Sequence, residues 1–302
     1  MKTDTNYRLG LAAIAGDGDP HHGPVLIAVR RLQDILDVTP AEAGEIDAMA
    51  MRFAAEQGIP NPEPGEIVSN TDSRDQVAAA ILATCGRLHF IAHDVIIGAY
   101  ALMAIREIGS GIPEAIVQGI LGNLLRMESA PPGIFHKYGP REIVEMESGF
   151  SDFNPGASES DLVESMLALL RAVPETNLGF GFRVQETHAI THTHALIWLR
   201  RNGFEAIYRK GLKPWFFRMF LLRDIALSRI SGARKAPFEP VGIGSARFWA
   251  RMDGLHGDQH LFKATLALFE LREWGFLDED GFGFILNRKF PVLFSYVTDE
   301  FA

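Results

Sequence analysis

Apolar residues recur at helical spacing along most of the chain, and polar residues with capping chemistry stand where many of these segments begin. Thr39, Pro40 and Glu42 supply an N-cap, a proline for the first turn and an acid at the third helical position. They predict a helix that runs to about Gln57 and ends at Gly58. We therefore expect the α-helix to be the dominant element of this protein.

The other apolar segments follow the same pattern. Ser73 opens a long predicted helix, which carries His89, His93, Ile97 and Tyr100 on related faces. We expect the remaining helices at residues 113–128, near 141–146, from 158 onward, and at 185–201, 214–230 and 258–274.

Two stretches interrupt the helical pattern and one stretch departs from it. Residues of about 58–72 and 129–157 contain several prolines and glycines and are predicted to be loop insertions. Only residues 282–297 have enough aromatic and β-branched content to suggest short strands near the C-terminus. The pattern as a whole indicates an all-α fold, in which residues 1–302 form a single-domain bundle of many helices.

Charge and cysteine content narrow the class of protein. The 302-residue chain has a formal net charge of -9, so it lacks the basic excess that nucleic-acid binding needs. A single cysteine, Cys85, excludes an internal disulfide and a zinc cluster built from cysteines. No signal-peptide pattern opens the chain, and His93 and Asp94 interrupt its longest apolar run. We expect a cytoplasmic protein that binds neither membranes nor nucleic acid.

Histidines are the main candidates for chemistry. Imidazole is a common ligand for zinc, iron and copper, and two imidazoles four residues apart lie on one face of a helix. Random placement of ten histidines would give about 0.3 such pairs. The chain has three of them, which predict a metal site between helices, while histidines that only stabilise the core are the simpler alternative. The pairs are His89/His93, His188/His192 and His256/His260.

Lys263 adds to the last of these pairs. It follows His260 by one helical turn and His256 by two, so the three side chains share one stripe with small apolar residues. A lysine on an apolar stripe extends its amine to solvent, pairs with an acid or loses its charge. Reaction with carbon dioxide would convert it to a carbamate, which is an anionic oxygen ligand.

Several familiar signatures are missing. The chain has no Glu-x-x-His of the ferritin-like di-iron proteins, and the segment from His188 to His192 lacks the glutamate of zinc proteases. Its glycine pairs lack the third glycine of a dinucleotide site, so NADPH has no binding motif here. The dipeptide His93-Asp94 is typical of metal-dependent phosphohydrolases, which leaves such a hydrolase as an alternative.

Four short segments, taken in order, resemble motifs of the questin-oxidase-like family of aromatic polyketide oxygenases and its bacterial members. The family motifs are Asn-His-Gly-Pro-Met, His-Gly-Leu-Ile, His-Ala-Val-Thr and Asp-Glu-His-x-x-Lys. Asp94 replaces a glycine of the family pattern, Tyr100 a histidine and Leu266 a polar residue. The matching segments here are HHGPV at 21–25, HDVIIGAYALMAI at 93–105, HAIT at 188–191 and DQHLFK at 258–263.

The resemblance implies a non-haem iron(II) oxygenase that oxidises an aromatic, quinone or cyclic ketone substrate with dioxygen. The oxidation would be of the Baeyer-Villiger type or would cleave a ring, and NADPH could serve as an external reductant. Lys263, as a carbamate, would complete the ligand set. The metal ligands implied are His22, His93, His188, His260 and Lys263.

Further residues are expected to support this chemistry. Tyr100 could donate a proton to the reacting oxygen, and Thr191 could hydrogen-bond a ligand histidine or the oxygen itself. The alternatives are a metal-dependent hydrolase that uses His93 and Asp94, and a non-catalytic helical protein whose histidines are structural. Residues expected beside the metal or lining the pocket are His89, Asp94, His192 and His256.

Overall fold

The computed structural model describes residues 5–61, 65–133, 135, 137–173, 180–227, 243–250 and 259–290. Helices make up nearly all of the regular structure in these ranges, so the all-α prediction is confirmed. The helices are α1 (Thr5–Ala15), α2 (His22–Ile35), α3 (Pro40–Glu56), α4 (Asn70–Thr84), α5 (His93–Glu107), α6 (Glu114–Met127), α7 (Pro140–Gly149), α8 (Glu159–Ala172), α9 (Phe180–Arg201), α10 (Glu205–Leu227), α11 (Ala246–Ala250), α12 (Gln259–Glu273) and α13 (Glu279–Phe284).

Short elements complete this description. Strands β1 (Ile67–Val68) and β2 (Ile112–Pro113) pair antiparallel, a 3-10 turn covers Phe90–Ala92, and a π-helical turn covers Ile285–Lys289. Among the described helices, none combines the length and the apolar character needed to cross a membrane.

Contacts between Cα atoms divide the chain into two compact units. Two of the boundaries between the units fall inside α5 and inside α12, each of which is one continuous helix. The single domain expected for residues 1–302 stays a prediction. The first unit comprises Met1–Thr84, Ile96–Ser129 and Val241–Leu266, and the second comprises Cys85–Val95, Ala130–Pro240 and Ala267–Ala302.

In the first unit, α1 packs closely against α2 and α6. A Cβ atom placed on Gly23 would lie 2.4 Å from the carbonyl oxygen of Gly10 and 2.4 Å from Cγ1 of Ile14. On the other side of α1, the Asn123 amide donates to the carbonyl oxygens of Ile14 (2.6 Å) and Gly16 (3.0 Å). The amide of α6 thus satisfies carbonyl groups that the end of α1 leaves without helical partners.

This close approach leads to a stability prediction. Replacing Gly23 with alanine is expected to lower the free energy of unfolding by about 1–3 kcal/mol, because the added methyl group overpacks the contact between α1 and α2. Gly44 is the matched control, since it lies on α3 and a Cβ there would meet nothing within 4 Å. Gly44→Ala should stabilise by about 0.4–1 kcal/mol in the same urea titration. Equal urea-unfolding midpoints for the two variants would contradict the close packing of α1 against α2.

In the second unit, buried polar contacts tie the helices together. The indole nitrogen of Trp215 on α10 donates to the hydroxyl of Thr193 on α9 at 2.9 Å. Two further polar pairs are fully enclosed. His194 Nε2 lies 2.6 Å from Glu270 Oε2, with both side chains at most 1% exposed. The other pair joins Lys289 to Glu186 at 3.3 Å, and the Lys289 ammonium also donates to the carbonyl of Val173 at 2.9 Å.

Helices with local start signals lie close to where the sequence predicts them. The Thr39 hydroxyl and the Glu42 carboxylate form the expected capping box at the start of α3. Ser158 and Asp161 form another capping box at the start of α8. The predicted loop of 129–157 contains α7, where a short helix is expected. The predicted loop of 58–72 is shorter than expected, because β1 and the first turn of α4 lie within it.

Two predictions about elements are wrong. The helix expected from Ser73 through Tyr100 is interrupted, since α4 ends at Thr84 and α5 begins only at His93. Over 282–290 the expected strands are absent, because the Asp278 carboxylate caps α13 by accepting from the amide of Gly281 (2.7 Å) and a π-helical turn follows. Residues 291–297 lie outside the described part of the chain.

Candidate metal centre

A strained turn precedes His93 in the second unit. Phe90, Ile91 and Ala92 have φ angles of 38°, 61° and 56°, which are left-handed values that residues other than glycine seldom adopt. For an L-residue this conformation costs about 1–2 kcal/mol. The amides of Phe90 and Ile91 donate to the carbonyl oxygens of Pro131 and Pro132, both at 3.0 Å. These bonds hold the turn, which directly precedes the first residue of α5.

The turn orients His93 towards His188. The Nδ1 atom of His93 donates to the carbonyl oxygen of Phe90, and Nδ1 of His188 donates to the carbonyl oxygen of Val184 at 2.6 Å. Because a carbonyl oxygen can only accept, both protons lie on Nδ1, and each Nε2 presents a lone pair. The two Nε2 atoms are 2.8 Å apart. Two lone pairs at this distance repel each other unless they share a cation, which is either a proton or a metal ion.

The first unit contributes a second pair of imidazoles. The rings of His21 and His260 have centroids 5.9 Å apart. His21 precedes α2, and Asp19 fixes it twice: the Asp19 carboxylate accepts from the backbone amide of His21 at 2.9 Å and from its Nδ1 atom. A carboxylate bound to Nδ1 of a histidine orients the ring and makes Nε2 a more basic ligand, as in many metal sites.

Charges around the second pair act on one another. Burial lowers the pKa of His21, and the nearby Lys263 lowers it further, although the hydrogen bond to Asp19 opposes the change. Burial alone would raise the pKa of Asp19, but its bond to His21 holds that pKa below the usual range. Lys263 on α12 is 1% exposed, and its Nζ atom has no hydrogen-bond partner among the described residues. Burial lowers the pKa of this amine to about 7.

Four imidazoles of the described residues are candidate metal ligands, His93 and His188 in the second unit and His21 and His260 in the first (the four-histidine group). Metal–imidazole bonds are about 2.0–2.1 Å long, so two imidazole nitrogens on one tetrahedral ion are about 3.4 Å apart. The Nε2 atoms of His93 and His188 would therefore have to separate by about 0.6 Å to bind the same ion. Either a proton or a metal ion would serve as the cation that these two lone pairs share.

Buried charges flank the first pair within the second unit. Asp94 is fully buried in the first turn of α5, where a carboxylate also complements the helix dipole. Arg218 on α10 is fully buried as well, and its Nη1 atom donates to the carbonyl oxygen of His188 at 3.1 Å. Burial lowers the pKa of Arg218 to about 9, while the charge of Asp94 opposes this. Burial and the charge of Arg218 hold the pKa of His192 well below its ordinary value.

Of the predicted ligands, His93 and His188 face each other in the second unit, and His260 lies beside His21 in the first, where the sequence predicts His22. The ring of His22 instead packs edge-on against Phe53, with centroids 5.3 Å apart. The two adjacent histidines differ in how Asp19 binds them: its carboxylate binds the ring of His21, whereas its carbonyl oxygen accepts from the backbone amide of His22 at 3.2 Å.

Other predicted residues lie near these pairs or outside the described chain. His89 is the residue before the 3-10 turn and does not share a helix with His93, so that pair is not built as predicted. Tyr100 is buried in the first unit and donates to the carbonyl oxygen of Lys263 at 3.3 Å. The Thr191 hydroxyl donates along α9 to the carbonyl oxygen of Thr187 at 3.3 Å. His256 lies outside the described residues.

The sequence pattern did not identify two of the residues described above, His21 and Arg218. His21 could have been found from Asp19, since an aspartate two residues before a histidine is placed to bind its ring. Arg218 stands alone in the apolar run from Trp215 to Leu222, and a lone charge in such a run is a sign of a buried, functional group.

The chemistry of the four-histidine group is that of neutral nitrogen donors. Imidazole suits zinc, copper, iron and nickel, so the donors alone do not choose among these metals. No carboxylate of the described residues belongs to the group, and a bound divalent ion would keep its full charge unless another anion joined it. No protein-family model, curated protein or solved structure matches this chain.

Proposed function

We propose that this protein is a non-haem iron oxygenase that acts on an aromatic, quinone or cyclic ketone substrate. The observation that supports this most is the contact in the second unit between the Nε2 atoms of His93 and His188, which are 2.8 Å apart and both present lone pairs. Bound iron(II) would supply the one-electron chemistry through which dioxygen reacts with an electron-rich ring. The proposed ligands are His21, His93, His188 and His260.

Lys263 is part of the proposal as a fifth ligand. Its neutral amine would attack carbon dioxide, form a nitrogen–carbon bond and release one proton, which leaves a carbamate anion one helical turn from His260. The buried Nζ atom, which lacks a hydrogen-bond partner among the described residues, supports this step. A carbamate would also supply the negative charge that four neutral imidazoles do not.

Two residues would handle protons and positioning. The buried phenol of Tyr100 is the proposed proton donor to the reacting oxygen, and its contact with the Lys263 carbonyl holds it beside α12. Thr191 would support the face of α9 that carries His188, because its hydroxyl oxygen keeps lone pairs that can accept a hydrogen bond. Dioxygen and the aromatic substrate would come from solution, as would NADPH if a reductant is needed.

Elemental analysis of protein purified without added metal tests the proposal. We expect about one iron per chain and substrate-dependent consumption of dioxygen with phenols or hydroquinones. Zinc or manganese without oxygen consumption would instead favour a hydrolase based on His93 and Asp94, although Asp94 is not one of the four grouped residues. Protein that contains no metal and takes up none would contradict both functions and favour structural histidines.

A further inference from the structure

Arg218 has an unusual set of contacts for a fully buried cation. Its Nη1 atom donates to the carbonyl oxygen of His188 at 3.1 Å and to Nδ1 of His192 at 3.3 Å. Its Nε and Nη2 atoms have no hydrogen-bond partner among the described residues. No described carboxylate forms an ion pair with it, although Asp94 is close enough for its charge to favour the protonated guanidinium. A buried charge without partners is costly, since unmet donors lose their solvation.

The missing contacts all lie on one edge of the guanidinium. The Nε and Nη2 hydrogens point the same way, and they form the two-pronged donor that matches the two oxygens of a carboxylate. Among the described residues, only the opposite nitrogen, Nη1, makes contacts. The described residues therefore provide no acceptor for the edge that suits a carboxylate.

His192 fixes the orientation of the guanidinium. Its Nδ1 atom accepts from Nη1 of Arg218 at 3.3 Å, so the proton of His192 lies on Nε2. This Nε2 atom is buried and has no hydrogen-bond partner among the described residues, but it lies on the Nη1 side and does not face the Nε/Nη2 edge. His192 therefore positions Arg218 across the packed helices α9 and α10.

We propose that Arg218 binds a carboxylate, with its Nε/Nη2 edge donating to both carboxylate oxygens. Nη1 holds the backbone of His188, so this anion and the proposed metal ligand would lie on opposite sides of the guanidinium. Identifying it as the carboxylate of an aromatic substrate rests on the proposed function. The site itself does not, because a small free carboxylate has the same chemistry.

Calorimetric titration of the purified protein with benzoate and formate, and with their neutral counterparts benzamide and formamide, tests this site. We expect saturable binding of a carboxylate and none of its amide. Arg218→Gln should weaken the binding about tenfold to hundredfold. Arg218→Lys should weaken it nearly as much, because lysine keeps the charge but lacks the paired donors. Benzoate binding would indicate an aromatic carboxylate as occupant, and binding of formate alone would indicate a small one.

Arg223→Gln is the matched control, since Arg223 lies on the same helix but is exposed, and its titration should match wild type. Wild-type protein that binds no carboxylate, or binds the amides equally well, would overturn the site even if the Arg218 variants failed to fold. Metal content measured on the same samples separates the two proposals. Arg218-dependent carboxylate binding without metal keeps this site and removes the oxygenase, and metal without carboxylate binding does the reverse.

Discussion

Replacing His188 with alanine is expected to lower the affinity for the bound metal by at least about 100-fold. Residues that only orient a ligand already contribute about 10–100-fold, and His188 would lose a direct donor. His93→Ala should behave alike, because the two Nε2 atoms face each other at 2.8 Å. Both affinities are measured by titrating metal-depleted protein with iron(II) and zinc(II) under anaerobic conditions.

The neighbouring histidines at 21 and 22 provide the control. His21→Ala should weaken metal binding as His188→Ala does, whereas His22→Ala should leave it unchanged, because the ring of His22 packs on Phe53. These two substitutions remove the same atoms from adjacent positions. If metal binding survives in both His93→Ala and His188→Ala, no metal site exists at this group. If His22→Ala loses the metal and His21→Ala does not, the ligand implied by the family resemblance is the right one.

The second large effect concerns the stability of the second unit. Lys289→Met is expected to lower the free energy of unfolding by about 3–5 kcal/mol, because it leaves the carboxylate of Glu186 buried without its cation. The carbonyl oxygen of Val173 loses a donor in the same variant. The measurement is the midpoint and slope of urea unfolding followed by circular dichroism.

Arg288→Met is the matched control, since it removes an exposed cation at the adjacent position and should change stability by less than about 0.5 kcal/mol. The double variant Glu186→Gln with Lys289→Met should recover much of the loss, because no lone buried charge remains. A Lys289→Met variant as stable as Arg288→Met would mean that the pair is not enclosed as described.

Elements defined by neighbouring residues could be predicted from the sequence. The helix that starts at Pro40 needs only Thr39 and Glu42 for its cap, and all of that information lies within four residues. The same holds for α8 with its cap at Ser158. Three histidines of the four-histidine group, His93, His188 and His260, could also be predicted from the sequence. Each lies within a helix or near its start, in a short motif.

Features that depend on distant residues could not be predicted. Nothing near residue 90 signals a left-handed turn, because the carbonyl oxygens that hold it belong to Pro131 and Pro132, some 40 residues along the chain. The choice of His21 over His22 depends on which ring Asp19 reaches, and helical periodicity does not contain that information. Arg218 is informative only once its burial and its unused donors are seen in three dimensions.

The left-handed turn before His93 also bears on the speed of metal exchange. A histidine in the middle of a regular helix can release a ligand by rotating its side chain, which takes nanoseconds or less. The ring of His93 is instead bonded to the carbonyl oxygen of Phe90, inside a turn that two backbone hydrogen bonds hold closed. Releasing an ion from His93 would therefore require the turn to open. Dissociation of the metal would then occur on the slower timescale of local unfolding.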